Sequence, residues 1–132
     1  MRAVLVDTGP LYALVDPDDQ HHARAREEAE RLQREAVELV LAYPTLLEAY
    51  TLVMRRLGVP AARRWVGEAL QGCGLLNPVA EDYLEATERI GAFEDQPITL
   101  FDSVVALLAG RLDIPVWTYD HHFDLMRVEV WR

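Results

Sequence analysis

Short apolar runs alternate along this chain with helical patterning, and two of them close on an aspartate. The run from Arg2 to Val6 meets Asp7, and the run from Ile114 to Tyr119 meets Asp120. A strand that is apolar on consecutive residues must bury both faces, which is the situation of a central strand in a parallel sheet covered by helices. The strand–helix alternation points to the same architecture. An acid at the carboxyl end of such a strand is costly to hold there unless something binds it, so Asp7 and Asp120 are candidate functional residues.

Further strands are expected at Val37 to Tyr43, at Leu75 to Pro78 and at Arg127 to Trp131, where alternating Val128 and Val130 suit a sheet edge. Between them, Thr8 or Gly9 caps a helix with Pro10 in its first turn. A second helix runs from Gln20 to Ala36, with Ala25, Ala29, Leu32 and Ala36 on one stripe. Pro44 opens a third, stopped by Gly58, and Pro60 opens a fourth to about Gln71. Glu81 to Phe93 is amphipathic, and Thr99 caps an apolar helix reaching Leu112. His121 to Met126 reads as a turn. Five parallel strands joined by right-handed crossovers make a three-layer α/β/α sandwich. Its ligand site is expected outside the carboxyl ends of the strands, where strand order reverses.

At 132 residues the chain is expected to form a single domain over 1–132. No apolar run approaches the roughly 18 residues that cross a bilayer. The N-terminus lacks a signal-peptide pattern, and the lone Cys73 forms no internal disulfide, so a cytoplasmic location is expected. The net charge is −9, an unpromising balance for a phosphate-binding protein unless a bound cation changes the local sign. There is no lysine, which excludes Schiff-base chemistry and lysine-bound phosphates.

Two more acids join the pair. Glu48 lies one turn into the helix after the second strand, and Asp102 in the first turn of the helix before the fourth. Each also has a local explanation. Asp7 can cap the first helix. Thr45 to Glu48 and Thr99 to Asp102 both fit the capping-box pattern. Asp120 can be a turn residue. A helix dipole accounts for one acid per helix start, not for acids at the same end of four elements. Clustered carboxylates raise each other's pKa, and a hard divalent cation removes that cost. All-oxygen ligation is the pattern of Mg2+ or Mn2+. Two such ions can activate a water and stabilise the leaving oxygen in phosphodiester cleavage. The adjacent pairs His21-His22 and His121-His122 lack zinc-like spacing and read as solvated, with one of the second pair at the site edge. Thr118, two residues before Asp120, and Thr8, beside Asp7, are supporting candidates for holding a water or phosphate oxygen. Arg55, Arg56, Arg63 and Arg64 flank the Gly58-Val59-Pro60 turn as a weak candidate for contacts to RNA phosphates, or as ordinary helix-end charges.

The strings VLVDTGPLYALVDPDDQHH, PTLLEAYTLVMRRLG, ITLFDSVVALLAG and VWTYDHHFDLM, in that order, resemble the PIN-domain family, most closely its VapC-type toxins. The resemblance spans nearly the whole chain. It implies a five-stranded parallel fold and an endoribonuclease dependent on Mg2+ or Mn2+. It places the family's acids on Asp7, Glu48, Asp102 and Asp120, as catalytic and metal-binding residues, and its Thr-x-Asp on Thr118-Tyr119-Asp120. It also implies a homodimer and a VapB-type antitoxin partner. Ser103 departs from the small apolar residue usual after the third acid, and Tyr43-Pro44 is a bulky entry to the Glu48 helix. The alternative is a non-catalytic PIN-like module that binds RNA or protein. Receiver and haloacid-type phosphotransfer domains are disfavoured by the absence of lysine and of an Asp-x-Asp after the first strand. A dinucleotide site is disfavoured by the absence of G-x-G-x-x-G.

Overall fold

The computed structural model describes residues 2–132. Four parallel strands form one sheet: β1 (Ala3–Val6), β2 (Glu38–Ala42), β3 (Gly74–Leu76) and β4 (Val116–Trp117). Their order is β3-β2-β1-β4. The chain therefore moves outward from β1 in one direction through β2 and β3, then crosses back to place β4 on the other side. The reversal lies between β1 and β4, the position where an open α/β sheet leaves a crevice beyond its strand ends. Leu5 faces Val40 on one side and Val116 on the other.

Among the described residues seven helices cover the sheet: α1 (Thr8–Val15), α2 (His22–Arg34), α3 (Tyr43–Leu57), α4 (Val59–Gly72), α5 (Ala80–Ile90), α6 (Leu100–Leu112) and α7 (His122–Leu125). Strand side chains alternate between the two layers. Val4 and Val6 pack with Leu11, Leu32, Leu46 and Trp65 of α1 to α4. Leu5 packs on the opposite face with its strand neighbour Val116 and with Ala86, Val105 and Phe123 from the layer of α5, α6 and α7. Helix α6 is buried along Asp102 to Ala109, so the apolar length read from the sequence is a central helix. The hydroxyl of Ser103 donates to the Ala86 carbonyl at 2.8 Å, which gives a polar residue a partner in that core. Gly58, with φ at 98°, joins α3 to α4 in a conformation that side chains resist.

Two expectations need correction. The sheet has four strands, not five. The segment expected as the fifth, Arg127 to Trp131, lies beside β4 but pairs with it only through the bridge between Val116 and Val130. β4 itself is two residues long. Pro115 has no N–H to extend the ladder, and beyond Trp117 the Thr118 hydroxyl turns the chain by accepting the N–H of Asp120 at 3.0 Å. The turn expected at His121 to Met126 contains the short helix α7. An unanticipated buried acid, Asp82, is structural: it accepts the N–H of Val79 at 2.9 Å and pairs with Arg111. Among the described residues no helix is long and apolar enough to cross a membrane.

Candidate active site

Asp7 follows β1, and its N–H donates to the Trp117 carbonyl at 2.9 Å, which ties it to the end of β4. It stands at the N-cap of α1, yet its side chain makes no capping hydrogen bond to that helix. Local capping therefore does not explain it. The residue is 6 % exposed. Its carboxylate accepts the Thr118 hydroxyl at 2.8 Å. Burial pushes the Asp7 carboxyl from its usual 3.8 up to about 6; the Thr118 bond opposes this, and the charges of Asp102 and Asp120 add to it.

Asp102 is buried in the first turn of α6, where its N–H donates to the Thr99 hydroxyl at 3.0 Å. Thr99 thus caps the helix as its sequence position suggests. Burial, and then the neighbouring Asp120 charge, raise the Asp102 pKa against the hydrogen bonds of Thr99 and the charge of His122. Asp120 is half-buried after β4, and its Oδ1 accepts the backbone N–H of His122 at 2.9 Å. Glu48 is exposed on α3. The capping box suggested for it does not form, because α3 begins at Tyr43 with Ala42 as N-cap. This leaves the buried Thr45 hydroxyl without a partner.

The structure brings all four acids to one cleft of about 480 Å³, with Thr8, Phe101 and Tyr119 among its walls. The buried Thr8 hydroxyl has no hydrogen-bond partner. The Thr118 hydroxyl donates to Asp7 and accepts the Asp120 N–H, so it couples two of the acids. Replacing Thr118 with Val, close in shape, removes both bonds. The Asp7 carboxyl is then expected to rise further above about 6. An NMR titration of that carboxyl checks it, and an unchanged midpoint contradicts the coupling.

The four arginines do not line the cleft. Arg56 lies 5.0 Å above the Tyr12 ring, and Arg64 borders a separate apolar groove with Leu11, Trp65 and Cys73. Tyr119, at the cleft wall, is fixed from α2: its hydroxyl donates to Glu28 at 2.6 Å and Arg24 covers its ring at 4.4 Å. The residue most undervalued by sequence reasoning is His122. It is not solvated; its side chain is 13 % exposed, with Nδ1 3.2 Å from Asp120 Oδ1 and 3.9 Å from Asp102 Oδ2. The only sequence signal was its position two residues after Asp120.

A divalent cation fits this donor set. Two carboxylates, Asp7 and Asp102, are held above their usual pKa by burial and by acidic neighbours, and among the described residues no arginine lines the cleft to neutralise them. Asp7, Glu48, Asp102 and Asp120 supply hard oxygen donors of the kind that hold Mg2+ or Mn2+.

A family model described as PIN domain matches residues 4–129. No curated protein matches the chain. Among solved structures, VapC20 of Mycobacterium tuberculosis, described as a sarcin–ricin loop cleaving toxin, superposes with a TM-score of 0.84 at 20 % identity, covering 98 % of each chain. VapBC2 from Rickettsia felis, bound to a DNA fragment from its promoter, gives a TM-score of 0.75 at 12 % identity, covering 98 % of this chain and 97 % of that one. FitAcB from Neisseria gonorrhoeae gives 0.68 at 21 % identity, covering 98 % and 96 %.

Proposed function

The chain belongs to the PIN-domain family, and from that membership we propose that it is a metal-dependent endoribonuclease, the toxin of a VapBC-type toxin–antitoxin pair. The observation that carries the reading is the convergence of Asp7, Glu48, Asp102 and Asp120 on one cleft beyond the β1–β4 reversal, two of them buried with raised pKa. The match to solved toxin structures over nearly the full chain supports it, as does the description of the M. tuberculosis protein as a sarcin–ricin loop cleaving toxin.

In this reading Asp7, Glu48, Asp102 and Asp120 hold one or two ions of Mg2+ or Mn2+. When bound, the cation supplies Lewis acidity that activates water and stabilises charge on the scissile phosphate. The chain's own residues do the rest. Asp7 and Asp102 present anionic oxygens from a partly water-excluded wall. Thr118 fixes Asp7 against Asp120 through its two hydrogen bonds. Glu48, the exposed member, closes the cleft from α3. Net attraction of RNA to a chain of charge −9 rests on the bound cation, with Arg55, Arg56, Arg63 and Arg64 as remote phosphate contacts outside the cleft.

We further propose residues 1–132 as a single nuclease domain that works in the cytoplasm as a homodimer, with a VapB-type antitoxin as partner. The VapBC2 and FitAcB neighbours support the partner. The test is cleavage of a defined hairpin RNA by the isolated chain in Mn2+. Cleavage is expected to stop with EDTA and to return when the ion is restored. A protein that binds Mn2+ and cuts neither single-stranded nor hairpin RNA would instead be a non-catalytic binding module.

A further inference from the structure

Resting on the reading of the cleft as a cation site, we propose that His122 contributes a nitrogen ligand there. The site is then suited to a first-row transition ion such as Mn2+ in preference to Mg2+. Three observations converge on this residue. Its Nδ1 is buried and has no hydrogen-bond partner, although acidic oxygens surround it. It lies 3.2 Å from Asp120 Oδ1 and 3.9 Å from Asp102 Oδ2. Asp120, His121 and His122 each present a ligand atom, all within 4.8 Å of one another.

The spacing has a coordination meaning. Ligand atoms about 2.1 Å from one ion lie roughly 3.0 Å apart at a right angle and roughly 3.4 Å apart at the tetrahedral angle. The Asp120–His122 separation of 3.2 Å falls between those values. The ring is also held in place. The His122 N–H donates to the same Asp120 oxygen at 2.9 Å, and the next residue, Phe123, is fully buried. His121 also lines the cleft, but its side chain is 77 % exposed and its Nδ1 is 3.9 Å from Asp120 Oδ1, so it is held less closely to the acids; His122 reaches them from behind the cleft wall.

Mg2+ favours oxygen ligands and retained waters, whereas imidazole favours first-row transition ions. One buried imidazole beside two carboxylates therefore shifts the cleft toward the latter. A simple imidazole–carboxylate ion pair is the competing account, and it predicts no nitrogen on the bound ion.

The experiment uses the full chain stripped with EDTA and loaded with Mn2+. Electron spin-echo modulation is expected to report a directly bound ¹⁴N in the wild type and in His121→Ala, and to lose it in His122→Ala. Calorimetry is expected to show the preference for Mn2+ over Mg2+ falling at least about tenfold in His122→Ala. His122→Gln serves if the alanine variant does not fold, and if neither folds the nitrogen signal kept or lost in His121→Ala decides. Bound Mn2+ without nitrogen modulation in the wild type overturns this inference and leaves the cation site standing. No Mn2+ binding at all overturns both.

Discussion

Asp7→Asn is expected to abolish RNA cleavage and, in the same protein, to increase stability when no cation is present. The two effects have one cause. The Asp7 carboxylate is buried next to Asp102 and Asp120, which is where a cation needs charge and where an apo protein is penalised for it. Losing one anionic oxygen from the cleft removes several kcal/mol of transition-state stabilisation, a fall in rate of at least about a hundredfold. The stability effect follows from linkage. With its pKa raised from 3.8 to about 6, the folded carboxyl holds its proton more tightly than the unfolded one. Its contribution is therefore fully favourable below pH 3.8 and is lost as pH rises through about 6. Complete loss corresponds to about 3 kcal/mol. Asparagine keeps an oxygen for the Thr118 hydroxyl and carries no charge. Chemical denaturation in EDTA at neutral pH should show the variant more stable than wild type, and the gap should close near pH 4. Adding Mn2+ should reverse the order, because an ion that binds only the native state stabilises the wild type by mass action. A variant less stable than wild type in EDTA at neutral pH would mean that Asp7 is a structural residue.

Such an acid is where local rules and the global fold disagree, and that disagreement made it legible. Val4, Leu5 and Val6 announce a buried strand, and nothing in strand packing calls for a carboxylate after them. Helix starts were equally readable, because Pro44, Pro60 and Thr99 act on the backbone within a turn of their own positions. What escaped sequence reasoning depended on contacts distant along the chain. Thr45 to Glu48 has capping-box spacing, but α3 begins at Tyr43, three residues before the start that a Thr45 cap would set, so the box has no helix end to cap. The fifth strand failed because its neighbour β4 is only two residues long and ends at the Thr118 turn, so the segment meets it through Val116 alone. Thr118 itself reads as a β-branched strand residue or a ligand, and only the adjacency of β1 and β4 makes it the link between Asp7 and Asp120. His122 looked solvated because Asp102, which approaches its ring, is distant along the chain, and because its own spacing gives no sign of the buried residue after it.

That residue, Phe123, is the second site of large expected effect. Its side chain is fully buried, in one cluster with Leu5, Val105 and Val116. Its backbone is also used: the Phe123 carbonyl accepts the N–H of Val128 at 3.2 Å, which holds the segment that bridges β4. Phe123→Ala is expected to cost about 3–5 kcal/mol, since the cavity lies among strand and α6 side chains that cannot collapse into it. Against a total stability of roughly 5–15 kcal/mol, that leaves a marginal fold. A shift in denaturation midpoint at unchanged slope measures it, and a loss below about 1 kcal/mol would mean the α7 layer is not part of the cooperative core. The site should feel the change as well. Asp120 and His122 flank Phe123 on α7 and its entry turn, and neither is tied to the sheet by a strand hydrogen bond of its own. Loosening the phenyl anchor should therefore weaken Mn2+ binding even under conditions where the variant remains folded. Phe123→Leu, which keeps most of the apolar volume, should restore binding before it restores full stability. If the leucine variant recovers stability without recovering Mn2+ affinity, the corner containing Asp120 and His122 takes its shape from elsewhere in the fold.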